Sequence, residues 1–246
     1  CSATEQWCGV AVAGPNARKI LTDAFGKAID ISDKNLPFMG VETFTWRGVI
    51  ARIFRISFSG ELAFEINVPW RYGEAMWDAI WEAGKAHDLI PYGTEALNVL
   101  RIEKGHVAGN ELDGRTTAAD MGLGRMMSRK KPFIGQSMAG REGMVAPDRA
   151  TLVGIKLAQK DGRLRGGAHL IIDKDNANLE TSLGWVTSVA DSPALGCWIG
   201  LGYLKGGLEV HEGARLNAVY PLYDEAVEVE ICSPHFFDPE GDRLDD

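Results

Sequence analysis

RGVIARIFRISFSGELAFEINVP, residues 47–69, is the stretch whose reading decides the fold. Val49, Ile50, Ile53, Phe54 and Ile56 are β-branched or aromatic, which suits a pleated, half-buried surface. Phe58-Ser59-Gly60-Glu61 makes a turn, with Gly60 free to take a positive φ. Beyond it Leu62, Phe64, Ile66 and Val68 alternate with Ala63, Glu65 and Asn67. A strand's period of two puts the four apolar side chains on one face and Glu65 on the other. Two readings of that other face are open. It is either a solvated surface with an ordinary glutamate, or the lining of a pocket in which Glu65 is a ligand carboxylate.

Working outward, Trp7 to Ala13 (WCGVAVA) reads as a strand, and Gly14-Pro15-Asn16 breaks it and starts a helix over Ala17 to Phe25. Residues 27–38 are a polar loop, and Phe44-Thr45-Trp46 leads into the hairpin. Trp70 to Lys85 carries Gly73, Trp77, Ile80, Trp81 and Gly84 at helical spacing, so the tryptophans read as core anchors. Thr94 caps a helix that runs from Glu95 to Lys104 and ends at Gly105. His106 to Thr117 is a Gly-rich polar loop, followed by short helices over Ala118 to Leu123 and from Pro132 to about Arg141. From Leu152 the pattern changes to six short strands separated by turns such as Asp161-Gly162 and Gly206-Gly207. Six strands in so short a span imply a small antiparallel barrel or sandwich. The fold expected is α+β, with residues 1–149 as a mixed domain and 150–246 as the β domain.

Composition narrows the function. The chain of 246 residues is 45% hydrophobic and 24% charged, with a formal net charge of -8. An acidic chain has no bulk electrostatic reason to bind nucleic acid or an anionic membrane. No apolar run approaches the roughly 20 residues of a membrane helix. Cys1, Cys8, Cys197 and Cys232 form no CxxC pair, and the five histidines are scattered, so reduced thiols of a cytoplasmic protein are expected and a metal site is not. The start at Cys1, soon followed by a strand, reads as a segment of a longer polypeptide. Gly122-Leu-Gly124 and Gly200-Leu-Gly202 lack the third glycine of a dinucleotide fingerprint, and there is no P-loop and no nucleophile elbow.

Landmarks along nearly the whole chain carry a resemblance. They are Ala13-Gly14-Pro15, Gly60-Glu61 with Phe64-Glu65-Ile66, Leu100-Arg101-Ile102-Glu103-Lys104-Gly105, Glu111-Leu112-Asp113, Lys131-Pro132-Phe133-Ile134-Gly135 and Leu183-Gly184-Trp185-Val186-Thr187-Ser188. In this order they resemble the aminomethyltransferase (glycine-cleavage T-protein) superfamily. Glu5-Gln6-Trp7, Gly93-Thr94-Glu95-Ala96-Leu97 and Ser233-Pro234-His235-Phe236-Phe237-Asp238-Pro239 are similar to the C-terminal part of heterotetrameric sarcosine oxidase alpha subunits. Leu97-Asn98 departs from the T-protein pattern, which has an arginine there.

The resemblance implies the second half of a folate-binding domain followed by a C-terminal barrel. It implies tetrahydrofolate as cofactor, with sarcosine demethylated to glycine and the one-carbon unit captured on folate. Glu65 would hold the pterin through two parallel N–H bonds. Phe58 stands where the family has a tyrosine; it can stack but cannot donate an O–H. Arg101 would pair with Glu103 or with the glutamyl carboxylate of the ligand. The family's catalytic aspartate would lie upstream of Glu5, so these residues alone would not catalyse. FMN, FAD and NAD would belong elsewhere in the complex, and the partners would be the other subunits and the upstream part of the same chain. A free-standing aminomethyltransferase and a dimethylglycine-type demethylating enzyme are the alternatives. A folate-binding scaffold of iron–sulfur maintenance ranks last, because its cysteine motif is absent.

Overall fold

The decisive stretch folds as expected at its centre. In a computed structural model describing residues 1–159 and 161–244, β3 (Val49–Phe54) and β4 (Ala63–Pro69) are antiparallel, with Ile53 opposite Ile66 and Phe54 opposite Glu65. Leu62, Phe64, Ile66 and Val68 are all buried. Each such side chain contributes roughly 1.5–3 kcal/mol when fully removed from water. The connection, residues 55–62, is longer than a four-residue turn. Ser57 Oγ and Ser59 Oγ accept from the N–H groups of Gly60 and Glu61, and Gly60 takes φ 87°. Buried Arg55 donates to Asp33 at 2.6 Å and to the Leu244 carbonyl at 2.7 Å, which ties the connection to the C-terminal segment.

Two strands flank this pair. β1 (Trp7–Ala13) lies beside β4, and β2 (Val41–Trp46) beside β3, giving the order β1-β4-β3-β2. The β2–β3 link is the two residues Arg47 and Gly48, at φ 51° and 82°. Positive φ at both positions is what a twist-matched two-residue hairpin demands. Two helices, α1 (Ala17–Phe25) and α2 (Gly73–Gly84), pack on the face bearing Phe64 and Ile66. Phe25 meets Phe44 edge-on at 5.2 Å in that core. A Cβ on Gly73 would lie 2.6 Å from Cys8 Sγ, so only glycine lets α2 approach β1 this closely. Gly73, Met76, Ile80 and Gly84 face the core, while Trp77 is 47% exposed. Trp77 is therefore no core anchor; it stacks on Trp81 on the flank of the helix.

The six expected β segments are present as β5 (Ala150–Leu157), β6 (His169–Ile171), β7 (Gly184–Ser192), β8 (Cys197–Lys205), β9 (Arg215–Tyr220) and β10 (Glu225–Cys232). They close into an antiparallel barrel in the order β10-β5-β8-β7-β6-β9, filled by Val153, Ile155, Leu170, Val186, Val229 and Ile231. α3 (Thr94–Lys104) ends at Gly105, φ 78°. The helix expected over residues 118–123 does not form, and the next one shrinks to α4 (Gln136–Ala139). A one-turn helix, α5 (Gly207–His211), follows β8. The chain divides into two compact units, Asn98–Pro239 and Cys1–Leu97 with the segment from Glu240. No helix among the described residues is long and apolar enough to cross a membrane.

Candidate functional site

In the first unit, the sheet face away from the helices is open, and register arranges its side chains in rows. Ala11, Glu65 and Phe54 form one row; Gly9, Asn67 and Arg52 form the next. Residues directly opposite on neighbouring strands share a face, so Glu65 and Asn67 stand side by side over a floor of Gly9 and Ala11. Glu65 is half-buried, and its carboxylate has no hydrogen-bond or ion-pair partner among the described residues. The Asn67 amide has none either. A Cβ on Gly9 would meet Asn67 Oδ1 at 2.9 Å, so the glycine leaves room for that amide to lie across the strand. The Arg52 guanidinium sits 4.2 Å over the Trp7 ring at the rim. A carboxylate accepts only, and an amide both donates and accepts. The pair is suited to the polar edge of a flat heterocycle lying on the small-residue floor.

Phe58 lies in the 55–62 connection and is 40% exposed. Beside it Glu61 accepts from Arg243 at 2.8 Å, fixing the end of the connection. Asn67 and Arg52 escaped the sequence reading. The period of two pointed to Asn67, but Arg52 needed the strand register.

A separate cavity of about 580 Å³ runs along β1, walled by Gly9 to Ala13, by Trp77 and Trp81 of α2 and by residues 87–94. Glu65 does not line it. The Trp77 and Trp81 rings lie 6.4 Å apart and 7° from parallel. Burial raises the Tyr92 phenol above its ordinary pKa.

Arg101 belongs to the second unit and is buried. It donates to Asn98 Oδ1 (3.0 Å), the His106 carbonyl (3.1 Å), Glu111 Oε2 (3.0 Å) and Ser188 Oγ (2.7 Å). Its ionic partner is thus Glu111, while Glu103 accepts from Ser192 at 2.5 Å. Glu111 is fully buried and also accepts from Ala108 N–H (2.8 Å), Thr187 Oγ1 (2.5 Å) and Ser188 Oγ (2.6 Å). Consecutive strand residues normally point to opposite faces. A bulge between Val186 and Ser188 lets Thr187 and Ser188 both reach the one carboxylate. The structure therefore brings Arg101, Glu111, Thr187 and Ser188 together, while Glu65 and Phe58 lie in the other unit.

Tyr203 completes this network by donating to the Glu111 carbonyl at 2.8 Å. Burial first, then the nearby Glu111 charge, push its phenol from 10.0 up to about 12. A group whose pKa is raised by folding stabilises the fold fully below its unfolded value and loses that contribution as pH climbs through the folded one. The melting temperature is expected to fall between pH 10 and about 12, and Tyr203→Phe should flatten that part of the fall. Thermal melts across this range check it; an unchanged slope in the variant would contradict the assignment.

Among the described residues no three His, Cys, Asp or Glu side chains gather as a metal-binding group. All four cysteines are free thiols.

Comparison with known proteins places the chain. The family model described as GCVT N-terminal domain matches residues 1–131, and that of the glycine cleavage T-protein C-terminal barrel domain matches residues 151–238. The sarcosine oxidase alpha subunit of Rhizobium meliloti (strain 1021) is 44% identical over 246 residues, covering 99% of this chain and 25% of that protein. The alpha subunit of Corynebacterium sp. (strain U-96) is 38% identical over 250 residues, again 99% and 25%. An aminomethyltransferase of Halothermothrix orenii is 33% identical over 204 residues, 82% of this chain and 54% of that one. The chain thus spans about a quarter of the length of the alpha subunits it matches. The crystal structure of glycine cleavage system aminomethyltransferase T from Bartonella henselae superposes with a TM-score of 0.73 at 22% identity, covering 95% of this chain and 60% of that one. The mixed first unit and the closed six-stranded barrel are therefore an aminomethyltransferase-like fold, and the chain belongs to the glycine cleavage T-protein family.

Proposed function

We propose that these residues form the tetrahydrofolate-binding C-terminal part of an amine-demethylating oxidoreductase of the sarcosine oxidase type. Residues 1–149 supply half of the folate cradle, and residues 150–246 supply the barrel. The observation that carries this reading is the Glu65 carboxylate, half-buried and without a partner among the described residues, on an open sheet face floored by Gly9 and Ala11. A pterin fits it: the ring is flat, and its pyrimidine edge offers two parallel N–H donors to a carboxylate. Phe58 supplies an apolar face to the same ligand. Arg101 acts through Glu111 and the 106–117 loop, because its hydrogen bonds are already directed within the network. Folate, once bound, supplies the acceptor for the one-carbon unit.

The greater identity to alpha subunits than to the aminomethyltransferase, 44% against 33%, favours the oxidase reading over a free-standing transferase. Amine oxidation, flavin and nicotinamide chemistry are assigned to polypeptide outside these residues and to partner subunits, in the cytoplasm. These residues by themselves are expected to be inactive.

Titration with tetrahydrofolate, followed by tryptophan fluorescence, tests the assignment. Glu65→Gln should weaken binding about tenfold, roughly 1.4 kcal/mol. Equal affinity of the two proteins would remove Glu65 from the site. If the 246-residue chain does not bind, the same pair is compared in the intact gene product. Failure there as well would end the folate reading.

A further inference from the structure

The sheet of the first unit ends in two unlike edges. β2 carries Glu42, Thr43 and Thr45, the charged and polar side chains that discourage a stray strand from pairing. β1 is WCGVAVA, with no charge, no proline and no bulge in its pairing with β4. Its backbone direction follows from two bonds at its ends. Gly14 N–H donates to the Leu62 carbonyl at 2.9 Å, and Trp70 N–H donates to the Gln6 carbonyl at 2.9 Å. In an antiparallel ladder, hydrogen-bonded pairs recur every second residue. Cys8, Val10 and Val12 therefore bond to β4, and the N–H and C=O groups of Trp7, Gly9, Ala11 and Ala13 point away from the sheet. None of these outward groups has a backbone partner beyond the strand ladder among the described residues.

Those of Gly9, Ala11 and Ala13 lie along the 580 Å³ cavity. Its far wall is apolar: Trp77 and Trp81, with Ile90 74% and Tyr92 40% exposed. Its ionisable side chains beyond Tyr92 are His87 and Asp88, and His87 already pairs with Asp23. A pocket for a small polar ligand gathers convergent polar side chains. Here the repeating polar element is main chain, at the spacing of a strand. We propose that the β1 edge is the docking site of one further β-strand, supplied by polypeptide outside residues 1–246. That strand pairs with Gly9, Ala11 and Ala13 and lays alternate apolar side chains against Trp77 and Trp81, the strand-addition mode of recognition. The relatives hold the material for such a strand. The matched region is 25% of the Rhizobium meliloti alpha subunit and 60% of the Bartonella henselae chain. The proposal is independent of folate binding.

Hydrogen–deuterium exchange by mass spectrometry, on peptides covering residues 7–14, compares the 246-residue chain with the intact gene product. In the short chain the amides bonded to β4 are protected and those of Gly9, Ala11 and Ala13 exchange fast. In the intact product these three slow roughly 100-fold. Ala11→Pro supplies the second arm, since it deletes an N–H that makes no bond to β4, and proline is tolerated on a strand edge facing solvent. It should leave the melting temperature of the short chain unchanged within a degree or so and restore fast exchange at Gly9 and Ala13 in the intact product. Equally fast exchange in both proteins overturns the proposal. So does a loss of stability in the short chain, which would place the Ala11 N–H inside its fold. A concentration-dependent dimer of the short chain, abolished by Ala11→Pro in sedimentation, would make a second copy the occupant and would also overturn it.

Discussion

Glu111→Ala is expected to destabilise the barrel-bearing unit by about 3–5 kcal/mol, the range for leaving one partner of a buried ion pair uncompensated. Glu111 is fully buried and Arg101 is 3% exposed. The variant strands the guanidinium where water cannot replace the lost carboxylate. It also orphans the donors of Ser188 and Ala108, which converge on the same carboxylate, while the Thr187 hydroxyl keeps the Leu201 carbonyl as an acceptor at 2.9 Å. Glu111→Gln keeps an acceptor for some of them and should fall between the wild type and the alanine variant. Removing both charges separates the ionic part from the packing part. Arg101→Met with Glu111→Gln should be less destabilised than the two single losses added together, because neither charge is then left alone. Urea unfolding of the four proteins gives the coupling directly. A loss under about 1 kcal/mol for Glu111→Ala, or strict additivity in the cycle, would mean that the pair is not coupled as the distances imply.

This network also marks where the sequence stops being legible. A helix places residues i and i+2 on different sides, so Arg101 and Glu103 could not face each other. That spacing was the available signal against their pairing. Glu111 lies within the 106–117 loop, and Thr187 and Ser188 reach it only through a bulge that shifts the register by one residue. Neither feature has a periodic signature. The elements that did have one were readable: WCGVAVA as β1 and RLNAVY as β9 to the residue, and the alternation 62–68 as β4, one residue early at each end.

Two local misses have equally local causes. Residues 118–123 do not form a helix because Asp120 and Thr117 bond each other's N–H groups, and Gly122 takes φ 75°. Short polar side chains that capture backbone donors favour turns over helix. The strand β2 was reduced to an approach segment because Arg47-Gly48 is not the Asn-Gly or Asp-Gly signal that announces a hairpin. Of the candidate site, the inward or outward sense of Glu65 was legible from period alone. That its neighbours are Ala11, Phe54 and Asn67 required the register of three strands.

Gly184→Ala is expected to destabilise the barrel by about 3 kcal/mol or more, at or beyond the upper end of ordinary overpacking. The reason is space and not backbone freedom. A Cβ at this position would lie 1.9 Å from the Tyr203 carbonyl oxygen and 2.9 Å from Leu204 Cα. Both are main-chain atoms of β8, the strand paired to β7. An open sheet could splay there; a closed barrel has to move β6 and β8 together, since Gly184 is paired on both sides, to Leu170 and to Leu204. The contrast is Gly143→Ala, where the added methyl meets nothing within 4 Å. Less backbone entropy in the unfolded chain should then leave that protein unchanged or stabilised by up to about 1 kcal/mol. Opposite signs for two Gly→Ala changes in one chain separate steric exclusion from any general effect of losing glycine. Equal melting temperatures for the two variants would show that β7 and β8 are not held as closely as the register requires. The consequence reaches the polar network, because β7 also carries Thr187 and Ser188 to Glu111. A shift at Gly184 should therefore make Gly184→Ala and Glu111→Ala destabilise by less than their sum when combined, as expected of residues that fail through the same strand.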